Sequence, residues 1–311
     1  MRTKLREQKD LTKREINEMK EKIKKLLPLK KEVEVQFKSW FLDYASYVVL
    51  DRAIPHILDG MKPVQRRILY SLNELDDGRY NKAANIIGHV MRYHPHGDAA
   101  IADAMVKIAE KGHLIDCQGN WGNPQTADKA AAPRYIEARL TSFAKEVLFE
   151  DEITNWQRSY DGRNKEPLHL PVKFPVLLMH GTEGIAVGMS TKILPHNPIE
   201  ITQALIASLQ GYSLEIFPDL PSGGTLDCSD YQGGKRGGRV KVRAHLEILD
   251  PKTIIISSIP YGTNTGQVIS SILTAQDKGL LKVKRIEDNT AENISIKIEL
   301  PNGASAHSTK E

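Results

Sequence analysis

The sequence has few of the residues that mark secreted, membrane and metal-binding proteins. Its 311 residues include two cysteines, Cys117 and Cys228, whose separation fits no metal-binding or redox motif. It has no run of about eighteen apolar residues, and its N-terminus is charged rather than signal-like. We therefore expect no membrane span, no secretory signal and a reducing, cytoplasmic location.

Nucleotide and metal signatures are scarce as well. The glycine-rich run 181–189, centred on Ile185, lacks the Gly-Lys-Ser/Thr ending of a phosphate-binding loop. The run 233–238 lacks the spacing of such a loop and leads into a predicted strand. The sequence shows no cluster of three carboxylates for a magnesium ion, so we expect no metal site in this chain.

Positive charge is concentrated at one end. Residues 1–34 hold 12 Lys and Arg against 7 Asp and Glu, a balance of +5, whereas the remainder has a balance of −1. Residues 11–27 have the pattern of a solvated helix, with capping-box spacing at Thr12 and Glu15 and a stop at Pro28. This segment is either an exposed arm or a contact for a second protein chain.

A second, more apolar helix is predicted over residues 37–50, and a third begins at Pro63. Pro63 places Lys62 just outside the third helix, and we expect that helix to bury apolar residues, namely Ile68, Leu69 and Leu72. Four cations fall within sixteen residues: Arg52, Lys62, Arg66 and Arg67. They form either a solvated basic face or a set of contacts to backbone phosphates.

Two further helical stretches, 83–93 and 99–110, are joined by a short Pro/Gly turn. This is the pattern of a helix-turn-helix, with Asp98 as a candidate N-cap. His94 and His96 lie on the turn, and a zinc site is one interpretation of them. No cysteine or further histidine completes a ligand set, so contacts to phosphate or caps of the turn are favoured.

The most informative stretch is the run 130–140, Ala-Ala-Ala-Pro-Arg-Tyr-Ile-Glu-Ala-Arg-Leu. Residues 114–124 before it have the pattern of a buried strand that leads into a glycine-rich wing. Apolar residues within the run and beyond it recur at helical spacing, at Ile136, Leu140, Phe143 and Val147. This spacing predicts a helix that begins near Arg134 and Tyr135.

The pair Arg134 and Tyr135 carries a chemical hypothesis. An isolated phenol is a poor nucleophile because it is protonated at neutral pH, but a neighbouring guanidinium favours the phenolate. The same guanidinium suits a phosphodiester. The alternative is a structural tyrosine that packs its ring and hydrogen-bonds its hydroxyl.

After about residue 150 the pattern becomes that of a second α/β domain. Residues 168–178 resemble an irregular edge strand, and 239–249 with 253–259 predict a hairpin. A helix is predicted over 267–276 and a last strand over 293–300. We expect no closing helix after that strand, which makes the domain look truncated.

Several motifs together, in this order, closely resemble the breakage-reunion part of the A subunits of bacterial type IIA topoisomerases, the family of topoisomerase IV and DNA gyrase. The resemblance covers roughly residues 35–300, and its motifs are residues 47–67, 94–98, 118–122, 131–135, 184–189 and 194–197.

This resemblance implies an α+β fold. It implies a winged-helix (helix-turn-helix) DNA-binding domain at 35–152 and a partial α/β tower domain at 153–311. The charged helical arm at 1–34 precedes the region that the resemblance covers. The resemblance also implies site residues. Tyr135 is the nucleophile that bonds to a DNA 5′ end, Arg134 holds the scissile phosphate or the departing charge, and Ile185 wedges between base pairs. The residues implied to contact DNA are Arg52, Lys62, Arg67, His94 and His96, and we add Arg66 from its place among the four cations.

The resemblance further implies double-stranded DNA as substrate, a homodimer of A subunits, and a B subunit that binds Mg²⁺ and ATP in an A2B2 assembly. Three departures stand out: Ala-Asp-Lys at 127–129, the length of the arm, and Ala99. In the family, a serine at the position of Ala99 and an acid at that of Asp103 anchor the metal ion of fluoroquinolones.

Two rivals remain open. The chain is a non-catalytic winged-helix scaffold or regulator, or, less in keeping with its residues, a tyrosine recombinase. The intact Arg134–Tyr135 pair favours the topoisomerase, and the scattered Arg/His set of a recombinase is not evident.

Overall fold

The computed structural model describes residues 2–235 and 237–310; within the first helix it describes the side chains of residues 18–22 and 24 and those from residue 31 onward. The chain divides into two units. One comprises Met1–Ile54 with Ile185–Ser190, and the other comprises Pro55–Gly184 with Thr191–Glu311. Each unit is described by itself.

The first unit contains one long helix, α1 (Arg2–Val48), followed by a π-helical turn at Val49–Ala53. The prediction of two helices separated at Pro28 was wrong, because the helix continues through the proline. Proline removes only one backbone hydrogen bond, and strong helix formers lie on both sides. The predicted capping box at Thr12 and Glu15 lies outside the described side chains.

The apolar face predicted for residues 37–50 is mostly uncovered within its unit. Four apolar residues of this stretch lie at helical spacing: Phe37, Phe41 and Tyr44 are exposed, and Val48 is buried.

The second unit holds the other elements. Its helices are α2 (Pro63–Glu74), α3 (Ala83–Val90), α4 (Asp98–Ala109), α5 (Ser142–Leu148), α6 (Val176–His180), α7 (Pro198–Leu209), α8 (Thr265–Asp277) and α9 (Ala306–Lys310). Its strands are β1 (Asn81–Lys82), β2 (Ile115–Gln118), β3 (Glu137–Leu140), β4 (Trp156–Arg158), β5 (Lys165–Pro167), β8 (Thr225–Asp227), β9 (Lys241–Arg243), β10 (Leu246–Asp250), β11 (Thr253–Ile256), β12 (Arg285–Asp288) and β13 (Ile296–Glu299). Strand β6 (Thr182–Ile185) ends and strand β7 (Ser190–Ile193) begins in the segment Ile185–Ser190, which belongs to the first unit.

The first core forms where α2, α3 and α4 pack near a three-stranded antiparallel sheet of order β1-β3-β2. The predicted start of α2 at Pro63 is confirmed, and Ile68, Leu69 and Leu72 are buried as expected. Strand β3 is central because it pairs with β1 on one side and β2 on the other.

The helix predicted from Ile136 to Val147 was wrong. Residues 133–135 form a turn, β3 follows, and α5 begins only after Thr141, whose hydroxyl caps it by accepting from the Ala144 amide. Residues 136–140 alternate between buried and partly exposed side chains, which is the period of a strand. Pairing with two neighbouring strands overrides the helical spacing of the apolar residues.

The second core lies in the four-stranded antiparallel sheet β10-β11-β13-β12. Its β10–β11 hairpin, helix α8 and strand β13 confirm the predicted elements. The expectation of no closing helix was wrong, since α9 follows β13 and buries Ala306 in this core. Residues 168–178 also differ from the predicted edge strand, because α6 begins at Val176.

The overall class is α+β, as predicted. Both cysteines are free thiols. In the part of the chain that the structure describes, no helix has the length and apolar character needed to cross a membrane.

Candidate DNA-cleavage site

Tyr135 lies on an exposed turn that is held in place by backbone hydrogen bonds. Its amide donates to the Ala132 carbonyl at 2.9 Å. The first amides of α3 anchor the same turn: Ala83 donates to the Ile136 carbonyl at 3.0 Å and Ala84 to the Pro133 carbonyl at 3.1 Å. The tyrosine is 63% exposed. The structure therefore does not support the alternative in which Tyr135 packs its ring against the core.

Arg134 stacks on the tyrosine beside it. Its guanidinium carbon lies 4.8 Å from the centre of the Tyr135 ring, a cation–π contact. The arginine is exposed and forms no ion pair with a carboxylate of the described residues. A phosphate beside the tyrosine would therefore meet an uncommitted guanidinium. The predicted helix entrance around this pair does not exist, so any helix dipole at the turn comes from α3 instead.

Lys62 lies at the N-cap of α2, as predicted, and faces a second segment of the unit. Its Nζ donates to the Glu183 carbonyl at 2.6 Å. Burial, followed by the nearby Lys107, lowers the pKa of the Lys62 ammonium. An anion bound next to Lys62 would therefore stabilise its charged form.

Around Lys62 lies a basic cleft of about 810 Å³. It is lined by four lysines, Lys62, Lys107, Lys111 and Lys192, and by two glutamates, Glu110 and Glu183. Lys111 donates to the carbonyls of His180 and Gly181. Burial, then the charge of Lys62, lowers the pKa of Lys111 to about 8. Sequence reasoning missed Lys107, Lys111 and Lys192, which only the fold brings near Lys62.

Arg66, for which the sequence predicts a phosphate contact, forms a buried ion pair within this unit. It is buried, and its Nε and Nη2 donate to the Asp59 carboxylate at 2.5 and 3.0 Å. Asp59 also accepts from the amides of Met61 and Leu170. A guanidinium enclosed in this way joins segments of the fold. Arg66 and Arg67 are adjacent in the chain, and nothing in the sequence indicates that their surroundings differ.

Arg67 is partly buried and holds a histidine of the segment between α3 and α4. Its Nε and Nη2 donate to the two carboxylate oxygens of Glu166 at 2.6 and 2.9 Å, and Nη1 lies 3.0 Å from His94 Nδ1. Burial, then the charges of Arg67 and His96, lowers the pKa of His94 to about 4. The rings of His94 and His96 meet edge to face at 4.6 Å. Three of the predicted site residues therefore form one cluster.

The turn carrying these histidines ends at α4. Its N-cap is Gly97, so the prediction of Asp98 as cap was wrong; Asp98 is the first helical residue and makes no side-chain cap. Ala99 and Asp103 are exposed on the first turns of α4. The described residues contain no group of three histidine, cysteine, aspartate or glutamate side chains that could hold a metal ion.

Two predicted site residues belong to the other unit. Arg52 is exposed within the π-helical turn at Val49–Ala53. Ile185 is the last residue of β6 rather than part of a loop, and it is 81% exposed. A tight turn follows it, in which the Ala186 amide donates to the Met189 carbonyl at 2.9 Å. An isoleucine so exposed at a hairpin tip has no role in a core.

Comparisons with known proteins place the chain in one family. Residues 52–311 match the family model of the DNA gyrase/topoisomerase IV A subunit. The chain is 51% identical over 275 residues to the A subunit of DNA topoisomerase 4 from Borreliella burgdorferi, covering 88% of this chain and 44% of that protein. It is 39% identical over 266 residues to the DNA gyrase A subunit of Leptospira biflexa, covering 78% of this chain and 31% of that one.

A third relative, the DNA gyrase A subunit of Streptococcus pyogenes, is 38% identical over 300 residues, covering 87% of this chain and 36% of that protein. These matches define the class as the type II topoisomerase A subunit family. The chain belongs to the family of DNA gyrase/topoisomerase IV A subunits. It spans less than half the length of the relatives it matches.

Proposed function

We propose that this chain is the DNA-cleaving part of a type II topoisomerase and that Tyr135 forms a reversible covalent bond to a DNA 5′ phosphate. The observation that carries the proposal is the exposed Tyr135 on a turn anchored to α3, with the unpaired Arg134 guanidinium against its ring. A nucleophile must be accessible and next to a group that stabilises the charge of the phosphate, and this pair meets both conditions.

The reaction is a transesterification. The Tyr135 hydroxyl loses its proton and attacks phosphorus, the bond from phosphorus to the 3′ oxygen breaks, and the departing 3′ hydroxyl takes up a proton. Religation reverses each step, because the phosphotyrosine keeps the energy of the broken phosphodiester. In this proposal Arg134 holds a nonbridging phosphate oxygen, and the cleft around Lys62 holds the DNA backbone.

The fold supports this assignment. Helices α2 to α4 with the sheet β1-β3-β2 have the make-up of a winged helix, and the loop from β2 to β3 carries Tyr135 at its end. We assign residues 35–152 to this domain and 153–311 to a tower domain. Arg52 and, as a base-pair wedge, Ile185 join the DNA contacts of the proposal.

The proposal assigns magnesium and ATP to a partner. The described residues offer no metal-ligand cluster, so no step of the chemistry is placed on a metal held by this chain. We propose that a B subunit binds both in an A2B2 assembly that passes one DNA duplex through another in the cytoplasm.

The test compares Tyr135→Phe with a matched control, Tyr160→Phe, which removes the hydroxyl of another exposed tyrosine. Each variant is assembled with the B subunit, and covalent protein–DNA adducts are trapped with denaturant. We expect Tyr135→Phe to form no adducts while DNA affinity is nearly unchanged, because one hydroxyl adds little to the sum of phosphate contacts. Adducts at the wild-type level in Tyr135→Phe would overturn the assignment. DNA binding without any adducts in the wild type would favour the non-catalytic scaffold.

A further inference from the structure

Glu166 is a buried carboxylate to which the proposed chemistry gives no role. It lies on β5, is 3% exposed, and binds the guanidinium of Arg67 through both of its oxygens. The two residues are 99 positions apart in sequence. A two-point contact of this kind fixes both the position and the plane of a guanidinium.

Arg67 in turn determines which nitrogen of His94 carries a proton. A guanidinium has only hydrogen-bond donors, and its Nη1 lies 3.0 Å from His94 Nδ1. Nδ1 must therefore accept the hydrogen bond and carry no proton. The imidazole is then neutral and protonated on Nε2, which is left as its only donor.

The surroundings of His94 agree with a neutral ring. The histidine is 7% exposed, and the charged or titratable groups that face it are Arg67 and the ring of His96. Burial, then the charges of Arg67 and His96, disfavours a second proton on His94, and the pKa of this histidine falls to about 4.

We propose that Glu166 is a positioning residue that acts through Arg67 to fix His94 as the neutral Nε2–H tautomer, so that His94 donates a single hydrogen bond to a phosphate oxygen of the cleaved strand. The identity of the acceptor rests on the proposed function, whereas the tautomer follows from the contacts within this chain. Enzymes commonly orient a histidine in this way through a partner behind it.

The direct test is the nitrogen NMR spectrum of the full chain labelled with ¹⁵N-histidine, with the His94 signals assigned by their loss in His94→Gln. At pH 7 we expect one protonated Nε2 and one unprotonated Nδ1. Glu166→Gln keeps the side-chain volume but removes the charge that orients Arg67, so we expect the two tautomers to mix. Arg67→Lys keeps the charge beside Glu166 but cannot bind both oxygens and Nδ1 together, and we expect the same mixing.

Glu146→Gln is the matched control. This glutamate is exposed on α5 and lies 3.9 Å from the Lys173 ammonium, so its loss should leave the His94 signals unchanged. A proton on Nδ1 in the wild type would overturn the proposal. So would an unaltered His94 spectrum in both Glu166→Gln and Arg67→Lys.

A second measurement tests the consequence for cleavage in the assembled enzyme on a short DNA duplex. We expect Glu166→Gln to slow adduct formation at saturating DNA by about 10- to 100-fold, as for other residues that orient a histidine, with DNA affinity nearly unchanged. Wild-type rates alongside mixed tautomers would refute the positioning role and leave the proposed function standing. A wild-type enzyme without adducts would refute the proposed function, while the NMR result would still decide the tautomer.

Discussion

The buried ion pair of Asp59 and Arg66 allows a test of which cations of α2 stabilise the fold and which are available to contact DNA. Asp59 is 1% exposed and accepts four hydrogen bonds, two from Arg66 and one each from the amides of Met61 and Leu170. Asp59→Ala leaves a buried guanidinium without a counter-charge and two amides without an acceptor.

The expected loss is large because none of these groups can turn to water. Removing one partner of a buried ion pair costs about 3–5 kcal/mol, and a typical domain has only about 5–15 kcal/mol of stability in total. We therefore expect Asp59→Ala to lower the free energy of unfolding by about 4 kcal/mol. Arg66→Met should destabilise in the same way. The double variant Asp59→Leu with Arg66→Met should recover part of the loss, because it leaves no buried charge.

Urea unfolding followed by circular dichroism measures these values. Asp77→Ala is the control, since Asp77 pairs with Arg79 on the open surface and its loss should leave the unfolding midpoint unchanged. A midpoint for Asp59→Ala equal to that of Asp77→Ala would refute the structural role assigned to Arg66. Weakened DNA binding by Arg66→Met at full stability would refute it too.

Further predictions concern the cleft and helix α4. The chain alone should bind duplex DNA weakly and with strong salt dependence, and Lys62→Met should reduce the salt slope by about one as measured by fluorescence anisotropy; an unchanged slope would exclude a phosphate contact. DNA affinity should also fall between pH 7 and 9, because the charge of Lys111 is lost as the pH rises through its lowered pKa of about 8. Lys111→Met should remove that part of the pH dependence, and an identical profile in the variant would contradict it. Finally, Ala99→Ser should increase the fluoroquinolone sensitivity of the assembled enzyme by about 10- to 100-fold, because a hydroxyl restores one hydrogen bond to metal-bound water, worth roughly 1.5–3 kcal/mol. Cleavage without drug should not change, and equal drug potency in the two forms would refute the idea.

Local signals predicted the elements that local chemistry determines. Pro63 marks the start of α2, and the run of β-branched residues at 253–256 marks a buried strand. The helix predicted from Ile136 to Leu140 was wrong because the apolar residues of this stretch fit both a helix and a strand. The polar residues between them and the capping Thr141 were the signals for a strand followed by a late helix.

The candidate site was predictable in part. The exposed Tyr135 and its neighbour Arg134 are adjacent in sequence, so their contact follows from any turn that exposes both. Arg66 pairs with Asp59, and Arg67 pairs with Glu166. Each pair joins different segments of the chain, so no spacing in the sequence predicts these contacts. Residue type alone could not tell a structural arginine from one that binds phosphate.

The central claim is tested most directly by identifying the residue that becomes attached to DNA. The enzyme assembled with its B subunit is incubated with a duplex labelled at the cleaved strand, denatured, digested with protease and analysed by mass spectrometry. The account predicts one DNA-linked peptide, modified at Tyr135 through a 5′ phosphate. Attachment at another residue, or no attachment in an assembly that binds DNA and hydrolyses ATP, would contradict it.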